Sequence, residues 1–325
     1  MRILHLIDSI KPGGAENVMC NYIKVCNELG DTSTIIGLPN SNEYELSLAQ
    51  IAKINYHLTD DIIRNTDAIF IHSNHGLIRL IKHWWIIKRK NIKVIYIQHL
   101  NYSAWKFKIL SKFINHICTD FIQITPITEK LIKRNIKISV SKITNFYINR
   151  YTAEQYSNIR KTTRKELKIS DSIQLIMFSA IFKPGKGLPD FVKLASEFIE
   201  HPNYHFLVVG DGEESDYVKD YAYENLTWIG RKNDVEKYLI ASDVYVFTSR
   251  FALEMMPMAL IEAINVDLPC VAYPTEINNF LLNNHTTDSI DKAFIINREY
   301  SNSKSLVHYD KQYGINQLRT LLHSY

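Results

Sequence analysis

Cysteine is scarce: Cys20, Cys26, Cys118 and Cys270 stand apart among 325 residues, with no C-x-x-C pair. Neither a disulfide framework nor a sulfur-ligated zinc site is indicated, and a reducing, cytoplasmic setting is expected. Glycine and proline are also few, 11 and 9, against 46% apolar and 22% charged residues, which excludes collagen-like, low-complexity and disordered chains. Nowhere do about 20 uncharged apolar residues run together, so no membrane-spanning helix is expected. The opening MRILHLIDSI is too short for the apolar region of a signal peptide. There is no G-x-x-x-x-G-K-[ST] loop, and neither Gly13-Gly14 nor Gly210-Asp211-Gly212 completes G-x-G-x-x-G, which argues against an ATPase or a nicotinamide-dependent dehydrogenase.

Acidic residues are missing altogether between Asp67 and Asp120, where nine Lys and Arg from Arg79 to Lys112 interleave with Trp84, Trp85, Tyr102, Trp105 and Phe107. Residues 1–150 carry 20 Lys and Arg against 11 Asp and Glu, and residues 151–325 carry 18 against 23. The first half is therefore basic and the second acidic. Basic charge beside tryptophan suits an anionic membrane surface. Nucleic acid would be drawn to the same patch, and an ordinary solubilising face has the same composition.

What is present is a length suited to two domains of about 150 residues and a repeated alternation of elements. An apolar run from Arg2 to Asp8 leads through Gly13 and Gly14 into a helical period from Ala15 to Leu29. Strand-like runs follow at 33–38, 68–72, 94–98 and 121–125, separated by helical spacing at 77–90 and 105–116. The second half repeats the order, with strands at 173–179, 204–209, 226–229, 244–248 and 270–273 between helical segments. Such alternation predicts two doubly wound parallel sheets, with ligands at the carboxyl ends of the strands. The polar stretch 149–172 reads as the linker between domains 1–150 and 151–311, and 312–325 as a terminal helix.

Chemistry concentrates after the strand at 244–248. There Glu254-Met255-Met256-Pro257-Met258 opens a helix that carries Glu262. Free N–H groups at a helix start attract phosphate, and a carboxylate one turn in can accept both hydroxyls of a ribose. On spacing alone, Glu254 also reads as a helix-approach residue and Glu262 as a solvated one. Phe182-Lys183-Pro184-Gly185-Lys186-Gly187 places lysines on a loop after a strand, where they can reach a diphosphate. His99 ends another strand, a place suited equally to capping and packing.

In this order the pieces resemble glycosyltransferase family 4, the retaining, nucleotide-sugar-dependent enzymes of the GT-B fold. The matching segments are HLIDSIKPGGAENVMCNYIKVCNELG, VIYIQHLN, SKITNFYIN, FKPGKGLPDFV, FLVVGDGEE, NLTWIGRKNDVEKYLIASDVYVFTSR and the Glu254 to Glu262 pair with seven residues between. The resemblance implies two Rossmann-like domains facing a central cleft, with the donor on the second. It implies that Glu262 holds the ribose, that Met255 to Met258 with Gly14, Lys183, Lys186 and Arg231 hold the diphosphate, and that Glu254 and His99 act at the transferred sugar. Gly13 and Glu16 lie on the acceptor side. It implies a UDP- or GDP-sugar donor, a glycan or polyprenyl-linked acceptor in cell-surface polysaccharide synthesis, no metal and no other cofactor, and no nucleic-acid partner. An anionic membrane surface is the remaining expected contact. Ala180-Ile181 replaces the family's Gly-Arg, Met255 the glycine after Glu254, and Phe146 the glycine after Asn145. Loss of the guanidinium leaves Lys183 as the substitute, and an inactive partner subunit is the alternative reading.

Overall fold

Short, wholly apolar strands decide the architecture. Ala68–Ile71 and Val244–Phe247 are buried along their whole length, the mark of central strands covered on both faces. The computed structural model describes residues 1–11, 13–39, 43–147, 151–221, 223–250, 254–297 and 310–323. Of these, 1–147, 254–258 and 310–323 form one unit, and 151–250 with 259–297 form the other.

The first unit holds seven strands: β1 (Arg2–Ser9), β2 (Thr32–Leu38), β3 (Lys53–Asn55), β4 (Ala68–Ile71), β5 (Lys93–Ile97), β6 (Asp120–Gln123) and β7 (Ser139–Lys142). All are parallel, in the order β3-β2-β1-β4-β5-β6-β7. The second unit holds β8 (Gln174–Phe182), β9 (Tyr204–Gly212), β10 (Leu226–Trp228), β11 (Val244–Phe247) and β12 (Cys270–Ala272), parallel in the order β10-β9-β8-β11-β12. Strand order reverses between β1 and β4 in one sheet and between β8 and β11 in the other, and such switch points open a crevice beyond the strands' carboxyl ends. In β1, Leu4 and Leu6 join one core with Ile69, Ile71 and Tyr96, while Ile7 joins another with Met19, Ile23 and Ile35. Both faces of that sheet are therefore packed.

Two expectations need correction. The segment 149–172, read as a linker, contains the helix Ala153–Glu166, closed by a capping box between Thr152 and Gln155. Its anchor is a cation rather than an apolar stripe. The Arg164 guanidinium, 1% exposed, donates to the carbonyls of Ala241, Ser170 and Ile173 at 2.6–2.8 Å and lies 3.3 Å from Asp243. Hydrophobic periodicity cannot reveal a helix held this way. The continuous helix expected over 77–90 is broken into Asn74–Leu80, a 3₁₀ turn Ile81–His83, and Trp84–Lys90. The break buries His83, whose Nδ1 lies 2.6 Å from Asp60.

The terminal helix Lys311–His323 packs on the helix Gly14–Glu28 of the first unit. Gly314 lies against Phe146, where an added Cβ would meet the ring at 2.6 Å. Phe146 also stacks on Tyr22, and its carbonyl accepts from Asn21 at 2.7 Å. The departure from the family's glycine at 146 is thus a core contact between two helices and the loop after β7.

Candidate active site

In the first unit the site forms beyond the carboxyl ends of β1, β4 and β5. Leu100, next to His99, pairs antiparallel with Glu254, so these two residues, about 150 positions apart, share one neighbourhood. The segment after Glu254 is held by its side chains: Met255, Met256 and Met258 are buried, and Asn145 Nδ2 donates to the Met256 carbonyl at 3.1 Å. Met255 sends its side chain into the core, so it can offer a ligand only main-chain groups. The chain then enters the helix Met258–Asn265.

His99 is the outer end of a histidine series. Its Nε2 lies 3.2 Å from His72 Nδ1, and His72 Nε2 lies 3.2 Å from His5 Nδ1. Adjacent rings stack with centroids 5.4 Å apart. Burial pushes His5 down to about 3 and His99 down to about 4; burial, then the two neighbouring imidazoles, holds His72 well below the usual range. All three are neutral at physiological pH. Beside them, Tyr96 donates its hydroxyl to Asn74 Oδ1 at 2.6 Å and Asn74 Nδ2 donates to the Tyr102 oxygen at 3.0 Å. Asp8, at the end of β1, lies 3.6 Å from His75.

Gly13 precedes the helix Gly14–Glu28 in extended backbone, with the Glu16 carboxylate directly over it. Burial raises the Glu16 pKa. An added Cβ at Gly14 would meet no described atom within 4 Å, so that position is open to a ligand.

In the second unit, Lys183 and Lys186 lie on the loop between β8 and the helix Leu188–Ser196. That loop is latched to the end of β11. The Arg250 N–H donates to the Gly185 carbonyl at 2.8 Å, and Thr248 Oγ1 donates to the Gly187 carbonyl at 2.7 Å. Arg250 also pairs with Asp190 at 2.8 Å and stacks on Tyr273 at 3.7 Å, while the Tyr273 hydroxyl donates to the same Asp190 oxygen at 3.0 Å. Gly187 has φ +86°, and a Cβ there would lie 2.2 Å from the Thr248 carbonyl oxygen. Gly187→Ala is therefore expected to lower stability by roughly 2–4 kcal/mol, seen as a lower denaturation midpoint at unchanged m-value. A midpoint equal to wild type would show that the latch yields.

Glu262 lies one turn into the helix Met258–Asn265. Burial, then the like charge of Glu236, pushes its carboxyl up to about 8. Ile181 is exposed near the end of β8, and Arg231 stands exposed beyond the edge strand β10, two strands from β8 in the sheet order.

The residues the sequence did not single out are His5, His72, Asp8 and Asn74, and Tyr102 reads there only as part of the basic, aromatic stretch. A histidine inside or after an apolar strand reads as core, and Asn74 and Tyr102 gain meaning only when β4 and β5 lie side by side.

Two parallel, Rossmann-like sheets define the GT-B class of fold. Over its whole length the chain superposes on all of the Anabaena protein HepE, whose crystal structure holds UDP and glucose, with a TM-score of 0.76 at 18% identity. It also superposes on a glycosyltransferase from Rickettsia africae, with a TM-score of 0.69 at 16% identity, covering 98% of this chain and 93% of that one. Residues 159–306 match the family model of the glycosyl transferases group 1. Its sequence is 36% identical over 111 residues to the UDP-Gal:alpha-D-GlcNAc-diphosphoundecaprenol alpha-1,3-galactosyltransferase of Escherichia coli. That match covers 31% of this chain and 28% of the relative's length.

Proposed function

We propose that this protein transfers a sugar, with retention, from a UDP-linked donor to a lipid-linked glycan in cell-surface polysaccharide synthesis. The observation that carries the reading is Glu262 one turn inside a helix whose amino end follows the Glu254–Pro257 segment, within the stretch 159–306 that matches the glycosyl transferases group 1 model. The Glu262 carboxylate accepts the ribose hydroxyls. The N–H groups around Met256 to Met258, with Lys183 and Lys186, receive the diphosphate without a divalent metal. Glu254 and His99 meet the sugar, and Gly13, Gly14, Glu16 and the Asp8, Asn74 and Tyr102 groups line the acceptor side. As the sugar's bond to phosphate breaks, charge grows on the leaving diphosphate, so fixed donors favour the transition state over the ground state. The acceptor oxygen bonds the anomeric carbon from the same face, and its proton passes to the departing phosphate. The donor of the galactosyltransferase relative and the ligands of HepE favour UDP.

UDP and UDP-sugars at saturating concentration are expected to raise the melting temperature by several degrees, as any ligand of the folded state alone does. ADP is expected to have a smaller effect. If no uridine or guanosine diphosphate compound shifts the transition, the reading fails. UDP binding without turnover of any UDP-sugar would favour the inactive partner instead.

The membrane contact rests on the first unit. Among the described residues no helix is long and apolar enough to cross a bilayer. Yet Ile78, Ile81 and Trp85, and on a neighbouring helix Trp105, Ile109 and Phe113, are exposed. Lys88 lies over Trp84 and Lys106 over Trp105. Apolar side chains amid lysines suit an anionic headgroup layer, where each cation near the surface contributes about 1 kcal/mol. Replacing Lys88, Arg89 and Lys90 by Glu is expected to lower binding to phosphatidylglycerol vesicles at least tenfold while UDP binding stays unchanged. Equal sedimentation with vesicles would make the patch ordinary surface.

A further inference from the structure

His99, on the reading above, meets the transferred sugar with one ring nitrogen, and which kind of group that nitrogen offers depends on two residues that never reach the ligand. Four ring nitrogens are committed to each other in the two 3.2 Å contacts, His5 Nδ1 with His72 Nε2 and His72 Nδ1 with His99 Nε2. Two remain. His5 Nε2 is buried with no hydrogen-bond partner among the described residues, and its ring is stacked on Phe70. His99 Nδ1 is the other, at the open end of the series.

A neutral imidazole carries one proton, so the choice made at one end runs to the other. Were the His5 proton on Nε2, a buried N–H would stand unpaired, an arrangement rarer in folded proteins than an unpaired acceptor. With the proton on His5 Nδ1, it is donated to His72 Nε2. His72 then holds its own proton on Nδ1 and donates it to His99 Nε2. His99 is left with its proton on Nδ1. Each bond polarises the next, which strengthens the ordered arrangement, and burial keeps all three rings neutral.

We propose that His5 and His72 are positioning residues that lock His99 in the Nδ1–H tautomer, so that it presents an N–H donor and not a lone pair to the sugar. His99 then hydrogen-bonds an oxygen of the donor sugar and cannot take a proton from the acceptor.

Ring-nitrogen correlation spectra of the full chain labelled with ¹⁵N-histidine test this, because protonated and bare ring nitrogens resonate far apart. His99 is assigned by the signals that His99→Gln removes. The wild type is expected to show His99 protonated at Nδ1 and His5 bare at Nε2. His5→Phe, which keeps an aromatic ring on Phe70, is expected to let His99 populate both tautomers. With UDP-glucose or UDP-galactose, whichever is turned over, it should lower kcat about tenfold while UDP affinity holds. His5→Asn, whose amide donates from the Nδ1 position, should restore both readouts. A His99 proton on Nε2 in the wild type would overturn the proposal, and that result does not depend on any variant folding. So would an unchanged tautomer in His5→Phe, or a changed tautomer at unchanged kcat. If instead the tautomer pattern holds while neither UDP nor a UDP-sugar binds, the sugar-transfer reading fails and the lock stands.

Discussion

Glu262→Gln is expected to weaken UDP-sugar binding by about 10²-fold or more at pH 9, to erase the pH dependence of binding, and to stabilise the second unit at the same pH. The three effects have one source. Burial and the charge of Glu236 hold this carboxyl near 8, so at pH 6 only about 1% of the free protein has it ionised. If the ionised form grips the ribose, affinity should rise about tenfold per pH unit from 6 to 8 and level off above. A UDP-sugar is the proper probe, because its diphosphate diester does not titrate in that range. Loss of charge-assisted bonds to two hydroxyls, each worth about 1.5–3 kcal/mol, accounts for the loss at high pH. The stability effect has the opposite sign. A carboxyl raised in the folded state keeps its proton between about 4.5 and 8 while the unfolded chain gives it up, so stability falls as pH rises through that window. Glutamine has no proton to lose, and stability should then stay level. For a group only partly shielded from solvent, roughly 1–3 kcal/mol at pH 8 is the expected gain. Flat affinity from pH 6 to 9 in the wild type would sever Glu262 from the ribose.

The sequence displays the strands and the local loops more fully than the contacts between distant segments, and the reason is physical. Strands such as Ala68–Ile71 and Val244–Phe247 are covered on both faces, so their burial is written in consecutive apolar letters. The loop Lys183–Gly187 is likewise local: its glycines and lysines lie side by side in the chain, and its latch confirms a turn the composition suggests. Helix Ala153–Glu166 escaped because a buried guanidinium holds it, and a buried charge looks like a surface one until Asp243 and three carbonyls surround it. The pairing of Leu100 with Glu254 and the line from His5 through His72 to His99 join residues 27 to 154 positions apart. Only the strand order, which sets β1 beside β4 and β4 beside β5, turns three scattered histidines into one series. Phe146 shows the reverse case, a visible departure from a family pattern whose meaning lies in the two helices it touches.

Acid should unfold the first unit before the second, with a midpoint near pH 5 under otherwise native conditions. His5 is held at about 3, His99 at about 4, and His72 well below its usual value, whereas in an unfolded chain each titrates near 6.5. Between those limits the unfolded state binds up to three protons that the folded state refuses, so stability drops as pH falls, by about 4 kcal/mol per unit at full difference. One and a half units of acidification then offset about 6 kcal/mol, the whole stability of many domains. Glu262 works the other way in the second unit, which gains as the pH falls from 8 to about 4.5, and this separates the two transitions. Trp84, Trp85 and Trp105 all report on the first unit and only Trp228 on the second, so tryptophan fluorescence follows the early event. Taking one histidine out of the series makes the attribution specific: His5→Phe removes about a third of the proton difference and should move the fluorescence midpoint down by about 0.7 pH unit. Fluorescence unchanged down to pH 4 would mean that the buried imidazoles accept protons without unfolding. An unmoved midpoint in His5→Phe would transfer the acid sensitivity to other groups.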